Sequence, residues 1–122
     1  MMKIILDTNF LIDCAKYHLD YCSELRGHKL YTLDRIILEL EKLIKQKKGI
    51  HAKLALQILK EKPVKVLKTK DKGSIGTLGS YVDDILVNME GYAIATNDLN
   101  LKKRLKTKVF TIRQKKYIKE IK

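Results

Sequence analysis

Aromatic residues make up only 7% of this 122-residue chain, with no tryptophan, and it holds one proline and two cysteines. So few aromatics do not signal the extended stacking platform of a dedicated single-strand binder. Cys14 and Cys22 are eight residues apart, about 12 Å along the axis if both are helical, which exceeds disulfide reach. His18, His28 and His51 are scattered, so no zinc-ligand spacing arises and thiol chemistry is not indicated. The chain has neither Gly-x-Gly-x-x-Gly after a strand nor a Gly-Lys-Ser/Thr phosphate loop. That argues against a dinucleotide enzyme and a P-loop ATPase. No apolar run approaches the roughly 18 residues of a membrane helix. Met1-Met2-Lys3 leads straight into a strand-like run with no signal-peptide pattern, so no membrane association and a cytoplasmic location are expected.

Acids are scarce beside bases: 14 Asp and Glu against 26 Lys and Arg, a net charge of +12. Such a balance favours a polyanionic partner. It also suits the lysine-rich surface of a heat-adapted protein, although a single proline fits that composition poorly. Hydrophobic residues at 45% and charged residues at 33% describe a globular chain able to bury one core.

Apolar runs alternate with amphipathic ones. Lys3–Leu6, Lys29–Thr32, Val64–Leu67, Tyr92–Thr96 and Val109–Ile112 read as short strands. Helices are expected over Asn9 to about Tyr21, from Leu33-Asp34 to a Gly49 cap, over Ile50–Lys60 ahead of Pro63, over Ser80–Glu90, and from Asn97-Asp98 through Leu105. The glycine-containing stretch Thr69–Gly79 reads as a loop. This alternation predicts a three-layer α/β/α sandwich with a central, mainly parallel sheet. Residues 1–113 would form the domain, and residues 114–122 a basic C-terminal tail.

Four acidic positions stand out in so basic a chain. Asp7 closes the run Ile4-Ile5-Leu6, and Asp98 follows Ala93-Ile94-Ala95-Thr96. Carboxylates at the C-terminal ends of parallel strands converge where open α/β sheets bind ligands. Each of these two also suits a helix N-cap. Glu39 lies about 60° from Ile36 and about 40° from Leu43 on a helical wheel, at the margin of an apolar stripe. A carboxylate there needs a lysine or a metal as partner. Asp83 and Asp84 are adjacent near a helix start, where one can cap while the other faces the crevice; Asp83 is favoured because it precedes Leu86 by three. Clustered carboxylates repel one another unless hard cations sit among them. Lys102, Lys103, Arg104 and Lys106 follow Asp98 within about two turns and could track a phosphate backbone, and Lys68, Lys70 and Lys72 precede the third acid. Each also suits ordinary solvated surface.

Together these segments resemble the PIN-domain nuclease family. Ile4-Ile5-Leu6-Asp7-Thr8-Asn9-Phe10-Leu11-Ile12-Asp13 is similar to its opening signature, and Glu39 in Leu38-Glu39-Leu40 to its second acid. The segment from Gly79 to Leu86 is similar to the third-acid region, particularly of the rRNA-processing branch, and Ala95 to Leu105 to the fourth. The resemblance implies a single-stranded RNA endonuclease using Mg2+ or Mn2+. Asp7, Glu39, Asp83 and Asp98 would be ligands, Thr8, Asn9 and Thr96 would orient them or nearby water, and Asp84 could replace Asp83. It further implies RNA as partner, a possible homodimer, and either a toxin restrained by an antitoxin protein or an rRNA- or tRNA-processing role. The stretch between Asp84 and Asp98 is about one helical turn shorter than in many relatives. The alternative is a non-catalytic RNA-binding module that keeps the fold.

Overall fold

The computed structural model describes residues 1–47, 49–69 and 78–121, with the backbone path alone for 78–81. Most of the loop expected over Thr69–Gly79, with Lys70 and Lys72, lies outside the described residues, as does the side chain of Tyr81. Six strands form one sheet in the order β3-β2-β1-β4-β5-β6: β1 (Lys3–Leu6), β2 (Lys29–Leu33), β3 (Val64–Leu67), β4 (Ala93–Ala95), β5 (Val109–Arg113) and β6 (Tyr117–Glu120). All neighbouring pairs are parallel except β5–β6. The mainly parallel sheet is as the strand–helix alternation predicts.

The helices are α1 (Thr8–Lys16), a single-turn α2 (Tyr21–Glu24), α3 (Asp34–Lys45), α4 (Ile50–Glu61), α5 (Leu78–Asn88) and α6 (Leu99–Arg104). Helix α4 packs on α1 and α3, and α5 packs on α6. From β1 the chain builds outward in two directions, through β2 to β3 and through β4 to β5. Right-handed crossovers in opposite directions cover opposite faces of the sheet. The central strands are accordingly buried from both sides: Ile4, Ile5, Leu6, Ile94 and Ala95 are fully inaccessible.

Three local expectations are corrected. The helix expected over Asn9–Tyr21 stops at Lys16, because His18 turns left-handed at φ 57° and the Asp20 carboxylate accepts from Cys22 N and Ser23 N to start α2. Both cysteines are free, as their spacing implies. Gly49 does not cap the end of α3. Lys47 takes the positive φ of 56° there, and Gly49 is the N-cap of α4, where an added Cβ would meet the Ala52 Cβ at 2.9 Å. The segment 114–122, expected as a basic tail, instead carries β6, which pairs antiparallel with β5 from Phe110↔Glu120 to Arg113↔Tyr117. Its polar, lysine-bearing sequence gives weak hydrophobic alternation, as an edge strand can.

Candidate metal centre

β1 lies between β2 and β4, so the strand order reverses direction there. At such a switch point the loops after adjacent strands diverge and leave a crevice beyond their C-terminal ends. Register pairs Leu6 with Ala95, which places Asp7 beside Thr96, and Asp7 N donates to Ala95 O at 3.0 Å. The crevice is a cleft of ≈ 240 Å³ whose walls include Asp7, Thr8, Glu39, Asp83 and Asp98. Four elements supply the acids: the end of β1, the middle of α3, α5, and the turn between β4 and α6.

Asp7 is the most buried of them, at 5% exposure. It caps α1, its Oδ1 accepting from Thr8 N at 2.8 Å, while Oδ2 accepts from the Thr96 hydroxyl at 2.8 Å. Burial pushes its carboxyl up to about 6, against the opposing pull of these two hydrogen bonds, with the charges of Asp83 and Glu39 adding to the rise. Asp83 is also raised, first by burial, then by Asp98 and Glu39, with Arg104 opposing. These carboxylates therefore feel one another across the cleft. Asp98 caps α6, its Oδ1 accepting from Asn100 N and Leu101 N.

The two adjacent acids of α5 point different ways. Asp83 lines the cleft, and Asp84 points outward to an ion pair with Arg104 at 2.8 Å. Between Asp84 and Asp98, α5 ends at Asn88 and Gly91 takes a φ of 85° before β4. Of the basic positions, Lys103, Arg104 and Lys106 are exposed on or just after α6. Lys102 is half-buried beside Arg113 and Asp98, and its pKa is lowered by burial and by the Arg113 charge.

Thr96 is the hub of the inner wall: besides bonding Asp7, its oxygen accepts from Asp98 N at 3.2 Å and lies 3.3 Å from Asn9 Oδ1. Sequence reasoning missed the network behind it. Asn97 donates to Asp13 Oδ2 at 2.8 Å, and its Oδ1 accepts from Thr111 Oγ1 and Ile112 N, both at 3.0 Å. Asn9 Oδ1 accepts from Asn97 N at 3.1 Å. The one available signal was the polar run Thr96-Asn97 directly after a buried strand, which needs partners once β4 is covered.

Whether these residues suit a divalent ion turns on two observations. Among the described residues no three acidic, histidine or cysteine side chains are placed to hold a metal ion together. The hydroxyl of Thr8, on the cleft wall, is buried with no hydrogen-bond partner among the described residues. A half-open, all-oxygen site fits Mg2+ or Mn2+ better than zinc, because Mg2+ keeps several waters and takes only one or two protein carboxylates. An orphaned buried hydroxyl costs about 1–3 kcal/mol, which a bound water or substrate oxygen would relieve.

The chain is 32% identical over 131 residues to Ribonuclease VapC4 of Methanocaldococcus jannaschii, covering 96% of this chain and 95% of that protein. It is 34% identical over 113 residues to the rRNA-processing protein fcf1 of Schizosaccharomyces pombe, and 30% identical over 115 residues to FCF1 of Saccharomyces cerevisiae. The chain spans about half the length of each of these two, 53% and 54%. Among solved structures, the PIN domain endonuclease Utp24 superposes with a TM-score of 0.77 at 26% identity, over 97% of this chain and 90% of that one. No protein-family model matches the sequence.

Proposed function

The chain belongs to the PIN-domain ribonuclease family, and from that premise we propose that it is an endoribonuclease whose cleft, walled by Asp7, Glu39, Asp83 and Asp98, takes Mg2+ or Mn2+ on one or two of these carboxylates and on water. The observation that carries this reading is the cleft itself: four carboxylates from four elements face one another in a chain of net charge +12. A cation bound there would offset the repulsion that Arg104 only partly opposes, and such repulsion serves no purpose in a pure phosphate binder.

The chemistry contributed by such a cation is charge neutralisation at the scissile phosphate and a lowered pKa of the attacking water. The chain's own residues prepare for it. Thr96 and the Thr8 N–H hold both oxygens of Asp7, so its carboxylate is oriented before any ligand arrives. Asp98 spends one oxygen on the α6 cap and keeps the other for the cleft. Arg104, held beside the cleft by Asp84, is placed to meet a phosphate bound there.

The test is cleavage of single-stranded RNA by the wild-type protein and by Asp7→Asn, with Mn2+, Mg2+ or a chelator. Metal-dependent cleavage by wild type and its loss in the variant is the expected result. Equal cleavage by both proteins would overturn the assignment. RNA binding without cleavage under any metal would favour the non-catalytic module. Likeness to Ribonuclease VapC4 supports the antitoxin-restrained role and likeness to the fcf1 proteins the rRNA-processing one, and co-purification of a small antitoxin protein with the chain would favour the first.

A further inference from the structure

The acidic cleft explains where a phosphodiester would be cut, but not what holds the rest of the strand, because carboxylates repel phosphates. The opposite edge of the sheet, at the N-terminal ends of the strands, has the reverse character. Register places Lys3 opposite Lys29 and Tyr31 opposite Lys65, so these four side chains lie on one face. Tyr92, just before β4, joins them: its ring meets Tyr31 edge-on at 5.5 Å, and Lys3 Nζ sits 4.9 Å over it.

Two neighbouring hollows flank this contact. One, of ≈ 350 Å³, is lined by Arg26, Lys29, Tyr31 and Lys65 among others, and the second, of ≈ 320 Å³, by Lys3 and Tyr92. No Asp or Glu lines either hollow among the described residues. Lys3, Arg26, Lys29 and Lys65 are all exposed, and none forms an ion pair among those residues. Lys108, on the wall of the second hollow, is by contrast paired with Glu120, and outside the two hollows Lys62 is paired with Asp20. Four cations with no ion pair among the described residues, around two half-buried tyrosines, make a band suited to phosphates, with ring surface for a base or ribose.

We propose that this band is a second RNA-binding surface, which holds the backbone of a strand extending past the acidic cleft, about 15 Å away at the other end of the strands. It is sequence-independent, acts through charge, and lengthens the footprint on RNA beyond what the cleft can grip. The inference rests on RNA being the ligand of the cleft.

The test measures binding of the full chain, in chelator, to a single-stranded RNA of about 20 nucleotides and to one of about four, across a salt series. Lys29→Gln with Lys65→Gln is compared with Lys53→Gln plus Lys60→Gln, an exposed pair on α4 that removes equal charge. The band pair should weaken the long RNA about tenfold and flatten its log K against log salt slope by about 0.7 per lysine. Tetranucleotide binding should hold, and Lys→Arg at both band positions should restore the long RNA. Equal losses from the two pairs would mean that only net charge matters and would overturn the proposal. So would unchanged binding of the long RNA, or a loss confined to anionic vesicles or an acidic peptide. If wild type cleaves nothing with any metal yet the band pair still loses the long RNA, the nuclease reading fails and this one stands.

Discussion

Asp7 ends a strand, caps a helix and faces three other acids. Its carboxyl is raised from 3.8 to about 6, chiefly by burial. The folded protein therefore binds a proton between those pH values that the unfolded chain does not. The resulting stability is full below about pH 4 and is lost as pH rises through 6, a fall on the order of 3 kcal/mol at neutral pH. Asp7→Asn removes the ionisation, and the Thr96 hydroxyl has Asn9 Oδ1 as a second acceptor. In the absence of metal the variant should be more stable than wild type at pH 7.5 and nearly equal at pH 4, read from urea midpoints. A gap that widens toward low pH would contradict the buried ionised carboxylate. The neighbouring acids of α5 give a second comparison. Asp83→Asn should weaken Mn2+ binding about tenfold or more, by titration calorimetry. Asp84→Asn removes only an exposed ion pair and should change stability by less than about 1 kcal/mol. Which of these two acids turns inward was legible only as a preference from the Leu86 spacing, since the rotation of a helix about its axis is set by what it packs on.

At the scale of elements, the buried strands announce themselves as short apolar runs, and the long amphipathic α3 as a stripe through Ile36 and Leu40. Breaks and edges are harder to read. The end of α1 depends on His18 adopting a left-handed turn that carries no sequence marker. β6 is polar and gains its partners only by lying against β5. Gly49 is a turn residue in either reading, but its job is close approach rather than left-handed backbone. Gly49→Ala should destabilise by about 1–3 kcal/mol, because the new methyl meets Ala52 Cβ at 2.9 Å and α4 must shift on α1. An unchanged thermal midpoint would show that the α3–α4 connection yields freely.

For the whole molecule, charge is segregated: a chain of +12 keeps four acids in one cleft. No helix among the described residues is long and apolar enough to cross a membrane. Binding a divalent ion at the cleft should relieve the mutual repulsion there and stabilise the fold by roughly RT ln(1 + [L]/Kd), about 2.7 kcal/mol at one hundred times Kd. Saturating Mn2+ should therefore raise the Tm by several degrees, a chelator should reverse this, and Asp7→Asn should abolish it. A Tm indifferent to Mn2+ would deny the cleft its cation.

From its residues alone the chain declares an α/β alternation, the apolar strands that carry it, and acids at the ends of β1 and β4. These follow from local periodicity and from what a buried strand requires. Tertiary structure alone decided that the reversal of strand order beside β1 opens the cleft between those two acids. It also decided that Asp83 rather than Asp84 lines that cleft, that Asn97, Asp13 and Thr111 brace it from behind, and that Lys29 and Lys65 share a face with Tyr92. Each of these joins residues far apart in the chain, and packing and register set such contacts where no local pattern does.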